Sequence, residues 1–128
     1  TGFAEPVNIA GDKRIFVADM FYDVTQPVRR QLHRQYIRTC LNELADLPNV
    51  VQLVSSEYTG PLHFVQFWID VIAEWEAETG KDALVALSAT KDVQDAILDD
   101  PVRSKIVDIL TYVIGITIQK SYMLLKVE

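Results

Sequence analysis

A carboxylate stands where β/α folds keep their chemistry. The stretch Val50-Val51-Gln52-Leu53-Val54-Ser55-Ser56-Glu57-Tyr58-Thr59-Gly60-Pro61 begins as a β-branched, apolar run and closes on Glu57 and a Gly-Pro turn signal. A helical pattern opens at Leu62. Glu57 is therefore expected at the carboxyl end of a strand, ahead of a βα loop, the end that carries ligands in parallel α/β folds. It is the leading catalytic candidate. Ser55, Ser56, Tyr58 and Thr59 surround it with groups suited to a hydroxyl-rich ligand. A solvent-exposed carboxylate favouring the dipole of the next helix would stand at the same place.

Two further stretches supply side chains of the same kind. Asp19 lies inside the run Ile15-Phe16-Val17-Ala18-Asp19-Met20-Phe21-Tyr22, a buried-strand pattern, so it must be paired or face the ligand end of the sheet. Tyr22 closes that run, and Asp23 is placed to cap the next helix. Ser88, Thr90 and Lys91 follow the apolar run that starts at Ala83. Lys91 and Asp92 also fit a simple surface pair. His33 and His63 lie on different predicted helices and Cys40 is the only cysteine, so no metal site is expected and no cofactor is implied. The sequence holds no GxGxxG, no GxxxxGK[ST] and no GxSxG.

The elements that must position these residues follow from periodicity. Strands are expected from Ile15 to Phe21, Val50 to Ser55, Ala83 to Leu87 and Ile106 to Ile109. Thr25-Gln26-Pro27 opens a helix over 28–46, whose apolar stripe reads Val28, Leu32, Tyr36, Cys40 and Leu44, widened by Ile37 and Leu41. Leu62 to Thr79 carries Val65, Trp68, Ile69, Ile72 and Trp75 on one face and ends at Gly80, a natural C′ residue. The Trp68/Trp75 stripe reads as core. A third helix spans 93–98, Asp99-Asp100-Pro101 breaks it, and 102–105 reads as a turn. Residues 1–14 read as loop.

The order β-α-β-α-β-α-β implies an α/β fold with a parallel sheet covered by helices. Right-handed crossovers place Tyr22-Asp23, Glu57-Tyr58-Thr59 and Ser88-Thr90-Lys91 along one edge. Four such units make half of an eight-stranded barrel or a small open sheet.

Composition narrows the partners. With 128 residues the chain is one domain at most, and a net charge of −6 argues against nucleic acid. The densest basic cluster, Arg29, Arg30, His33, Arg34 and Arg38, reads as a solvated helix face. No apolar run is long enough to span a membrane, so no membrane partner is expected. The chain begins with Thr1 and reads as an excision from something longer; periplasmic or secreted placement would follow if the parent carries a signal peptide.

The blocks GDKRIFVADMFYD, PVRRQLHRQYIR, ADLPNVVQLVSSEYTGPLHFVQFWIDVIAEWEAETGK and ALSATKDVQDAILDDPVRSKIVDI resemble the middle of a bacterial (β/α)8-barrel family linked to glycoside hydrolysis, often catalogued only as a domain of unknown function. Its layout is similar to the cellulase/mannanase-like clan. The resemblance covers roughly residues 2 to 109. It implies a half-TIM-barrel fragment, a carbohydrate substrate, and Glu57 as the acid/base glutamate that ends the fourth barrel strand. The clan usually has Asn before that glutamate; Ser56 stands here. The nucleophile would come from strand seven, which the resemblance does not reach, so the chain alone is expected to be inactive. The alternative is a non-catalytic α/β carbohydrate-binding or protein-interaction module.

Residues 110–128 depart from the family pattern, which continues with a segment like DIRYWHY. One permitted codon choice for LTYVIGITIQKSYMLLKVE, read two bases on, translates as DIRYWHYNTKELYAPKGG. A frameshift ending the barrel region at residue 109 is the resulting expectation. The apolar, β-branched tail is expected to pair with a free edge of its own sheet or to drive self-association through exposed sheet edges.

Overall fold

The computed structural model describes residues 8–9, 13–14, 17–114 and 117–123. A short antiparallel ladder joins β1 (Asn8–Ile9) to β2 (Lys13–Arg14), within a region that reads as loop by sequence. Then come α1 (Val17–Tyr22), α2 (Pro27–Leu44), β3 (Val51–Leu53), α3 (Leu62–Thr79), β4 (Leu84–Ala89), α4 (Lys91–Asp99), a 3-10 turn (Arg103–Lys105), β5 (Ile109–Ile114) and β6 (Thr117–Met123). The main sheet has the order β3-β4-β5-β6. The first two pairings are parallel, as expected for consecutive βα units, and β6 doubles back antiparallel along β5. The fourth expected strand starts at Ile109 rather than Ile106.

The run at 15–22 is the main correction. Its described part, Val17–Tyr22, is a helix, not a strand; residues 15 and 16 lie outside the described residues. A short apolar run carries no period that separates a buried strand from a buried helix. Two histidines stabilise the helical form. His33 Nε2 donates to the Phe21 carbonyl at 2.8 Å and His63 Nε2 to the Tyr22 carbonyl at 2.9 Å. Those are acceptors that the last turn of a helix leaves open.

In α2, Pro27 occupies the first turn and Gln26 is the N-cap, its side chain accepting the Arg29 N–H at 2.6 Å. Asp23 is not the cap: its carboxylate takes the Thr25 N–H and hydroxyl instead. The buried face of α2 is His33, Ile37 and Leu41, while Val28, Leu32 and Tyr36 of the expected stripe are 61–64 % exposed. Ion pairs Arg34–Glu74 and Arg38–Glu78 join α2 to α3, and Arg29 lies 3.9 Å from Asp23, so three of the five residues of the basic cluster are paired. Helix α3 ends as expected, with Gly80 at φ +69° returning its N–H to the Glu76 carbonyl at 2.9 Å.

The strands present two different faces. Val85, Leu87, Ala89 and Leu110, with Val54 just past β3, join Val65, Ile69, Ile72, Trp75, Val93 and Ile97 in one core. Each fully buried large side chain there contributes about 1.5–3 kcal/mol. Their sheet neighbours Val51, Leu53 and Leu84 alternate to the other face and remain 41–46 % exposed. Trp75 is core, its Nε1 donating to Asn42 Oδ1 at 2.8 Å. Trp68 is half-buried beside Tyr36. Cys40 is a free, partly buried thiol.

Candidate functional site

The chain leaves the sheet after Val54, whose N–H donates to the Ala86 carbonyl at 2.9 Å. Ser55 N–H folds back onto the Leu53 carbonyl at 2.9 Å, a three-residue turn of the kind found at strand ends. At Tyr58 the chain rejoins β4: Tyr58 N–H donates to the Ser88 carbonyl at 2.9 Å and Thr90 N–H to the Tyr58 carbonyl at 3.2 Å. Residues 55–57 are thus an outward excursion between two anchored points, and all three are exposed.

Two of these residues are left-handed. Ser55 has φ +73° and Glu57 φ +51°. The left-handed region costs a residue with a Cβ about 1–2 kcal/mol, and such strain gathers at functional sites. A buried hydroxyl supports the Glu57 backbone: Ser88 Oγ, on β4, accepts the Glu57 N–H at 3.2 Å.

Tyr58 is the floor of the site. It is buried, its hydroxyl donates to the Pro61 carbonyl at 2.7 Å, and its ring meets Tyr22 edge-on and lies parallel to Phe64. Burial, and then the neighbouring Tyr22, push its phenol well above the ordinary tyrosine range. It is therefore a neutral hydroxyl packed beneath the loop. Gly60 is required by this packing. A Cβ there would lie 2.6 Å from the Tyr58 hydroxyl and 3.0 Å from Tyr22 Cζ.

The remaining candidates divide. Tyr22, Glu57, Tyr58, Ser88 and Thr90 are linked by the contacts just given; Ser56 precedes Glu57 and Thr59 follows Tyr58, both exposed. Thr90 is the N-cap residue of α4 and its hydroxyl bonds the Asp92 carboxylate, holding that group below the usual range. Lys91 is exposed and pairs with Asp95 one turn on. Asp19, expected inside a strand, is exposed on α1.

Sequence reasoning missed a cavity of about 400 Å³ under the loop, lined by Phe21, Tyr22, Leu53, Ser55, Tyr58 and Phe64 among others. Its signal was the aromatic residues flanking each strand end. A second cavity, about 360 Å³, lies at the other end of the strands beside Pro48, Val50 and Ala83. His33 and His63 do converge, on consecutive carbonyls of α1. Among the described residues no group of three His, Cys, Asp or Glu side chains is placed to hold a metal ion.

A family model matches residues 1–120. The chain belongs to the family described as Domain of unknown function (DUF6298). No curated protein and no solved structure matches it. For this DUF6298 chain, any activity must be argued from the loop at 55–57 and the residues that hold it.

Proposed function

We propose that the carboxyl ends of β3 and β4 in this DUF6298 chain form part of a saccharide site, with Glu57 as the general acid/base of a parent glycoside hydrolase. The observation that carries the reading is the presentation of Glu57. It is an exposed carboxylate on left-handed backbone at a strand's carboxyl end, tied from below by the buried Ser88 hydroxyl. Cleavage of a glycosidic bond needs a carboxylic acid to protonate the leaving oxygen and a second carboxyl group across the bond. Glu57 supplies the first. Asp19, Tyr22, Ser56, Thr59, Thr90 and Lys91 are the candidates for contact with sugar hydroxyls, with Tyr58 and Ser88 beneath them. The half-barrel architecture belongs to the same reading. It accounts for the exposed apolar residues Val51, Leu53 and Leu84, which lie on the sheet face that a barrel would enclose.

The test is Glu57→Gln in the full-length parent. On substrates with poor leaving groups kcat should fall by about 10²–10⁴, the usual worth of a positioned acid. On activated aryl glycosides, whose leaving groups need little protonation, the first step should fall far less. Equal losses on both would remove Glu57 from the acid role.

A non-catalytic binding or interaction module is the second reading, favoured by the exposed stripe Val28, Leu32 and Tyr36 on α2. Saccharide binding without turnover by the full-length parent would support it.

A further inference from the structure

The cavity of about 400 Å³ under the loop at 55–57 has walls of one chemistry. Six of the residues that line it are aromatic: Phe21, Tyr22, Tyr36, Tyr58, Phe64 and Trp68. Leu53, Val54 and Val65 are aliphatic, and Ser55 supplies a single aliphatic hydroxyl. No described residue of the lining carries a charge. The backbone adds little polarity, because its donors here are already used. Val54 and Tyr58 N–H groups bond the Ala86 and Ser88 carbonyls, and Ser55 N–H bonds the Leu53 carbonyl. The Tyr58 hydroxyl is held by the Pro61 carbonyl.

The walls are also braced against collapse. Well-packed interiors leave few voids larger than a water molecule, because side chains move in to fill them. Here the rings hold one another in place. Tyr36 packs edge-on against Trp68 at 6.2 Å between ring centroids, Trp68 against Phe64 at 5.7 Å, and Phe64 against Phe21 at 5.5 Å. Tyr22 stands edge-on to Tyr58 at 5.6 Å. His33 and His63 fix the Phe21 and Tyr22 carbonyls. A ring that moved inward would give up one of these contacts, so the shape is set before a ligand arrives, which lowers the ordering cost of binding.

We infer that this cavity binds an uncharged aromatic molecule of one or two rings. Ligand pockets run from about 300 to 1,000 Å³ and have mostly apolar and aromatic walls. A dry cavity of about 150 Å³ already takes benzene, so this one has room for a fused pair of rings. A bound ring would meet the wall rings edge-on or offset, the arrangements that aromatic quadrupoles favour. An ion would lose its hydration without a counter-charge, and a sugar would leave most of its hydroxyls unpaired. The site thus differs in chemistry from the proposed saccharide site, although it shares Tyr22 and Tyr58 with it.

The experiment is titration of the full chain with indole, followed by nuclear magnetic resonance of its amides. Indoxyl sulfate, which adds a charge to the same rings, is the matched probe. The expected result is saturable binding of indole with a dissociation constant of about 1 mM or tighter. Amide shifts should move at 53–58 and 64–68 and stay still around Pro48 and Ala83, beside the second cavity. Indoxyl sulfate should bind at least tenfold more weakly. Leu53 is 46 % exposed, so Leu53→Trp enlarges a wall from the rim without overpacking the core, and it should also weaken indole at least tenfold. Indole binding that does not saturate, shifts centred elsewhere, or equal binding of indoxyl sulfate overturns the inference. A Leu53→Trp protein that folds like wild type and binds indole equally well overturns it too; the wild-type measurements decide alone if that variant does not fold. No readout uses a sugar or turnover, so the saccharide reading stands or falls separately.

Discussion

Ser88 and Glu57 are joined across the β3–β4 boundary: the Ser88 hydroxyl accepts the Glu57 N–H at 3.2 Å. The Ser88 carbonyl accepts the Tyr58 N–H at 2.9 Å, so one residue of β4 holds two consecutive amides. The backbone bond survives any substitution, but the hydroxyl bond does not. Ser88→Ala should cost about 1 kcal/mol, the net worth of one hydrogen bond, and leave the Tyr58 bridge intact. Thermal unfolding should register a drop of a few degrees. Amide exchange should quicken at Glu57 and stay slow at Tyr58; equal quickening at both would mean that the hydroxyl is not a separate tether.

Left-handed backbone at Ser55 and Glu57 gives a prediction of opposite sign. Glycine relieves about 1–2 kcal/mol of strain there but adds about 0.5–1 kcal/mol of unfolded-chain entropy. The difference, about 0–1.5 kcal/mol, is on the side of relief. Glu57→Gly and Ser55→Gly should each raise the unfolding midpoint, whereas Glu57→Ala should not. If the glycine variants are no more stable than Glu57→Ala, the loop is unstrained and that argument for a functional site fails.

Gly60 carries the reverse case. Its Cβ would meet the Tyr58 hydroxyl at 2.6 Å, and that ring is wedged between Tyr22 and Phe64. Gly60→Ala must push the ring off its place, at a cost of about 1–3 kcal/mol for overpacking. Denaturant titration of the purified variant measures this directly, and an unchanged midpoint would show that the ring has room to yield.

What the sequence made legible follows from where its signals are periodic. Helices α2 and α3, the parallel pairing of β3, β4 and β5, and the exposed end of β3 at Glu57 all rest on long stripes or on Gly and Pro punctuation. Val17–Tyr22 did not, because six apolar residues have no period that distinguishes strand from helix. The α2 stripe was right in part: Ile37 and Leu41 pack inward and Cys40 and Leu44 are half-buried, while Val28, Leu32 and Tyr36 face out. Four-residue spacing identifies a helical stripe but not which neighbour covers it. The Ser88 tether and the bonds from His33 and His63 to the carbonyls of α1 join residues 31, 12 and 41 positions apart, which only the assembled fold brings together.

Asp100 sets an acid-side prediction. Its carboxylate accepts the Arg103 and Val102 N–H groups at 3.0 and 2.9 Å and the Arg103 guanidinium at 2.7 Å. These bonds, the Arg103 amide first, hold it below the ordinary carboxylate range. A carboxyl group lowered on folding stabilises the fold fully above its unfolded value of about 3.9, and that contribution fades as pH falls through the folded value. Stability should therefore decline below about pH 4 in wild type. In Asp100→Asn, which cannot ionise, the decline should be shallower from a lower starting point. Parallel pH curves for the two proteins would take Asp100 out of the acid response.

Turnover by the chain itself tests the site from its chemistry. Hydrolysis needs two carboxyl groups facing each other across the bond, about 5 Å apart for retention and wider for inversion. The proposed function takes Glu57 as one; its loop is held by Ser88 and floored by Tyr58. The proposed function takes the partner carboxylate from elsewhere in the parent protein. A lone acid, however well placed, leaves the oxocarbenium-like transition state without its counter-charge. Incubated with a panel of β- and α-linked glycans, the chain should release no reducing sugar above the Glu57→Gln control. Release that Glu57→Gln abolishes would mean that a second carboxylate of this same chain completes the pair, and Asp19 and Asp92 would be the first substitutions to make.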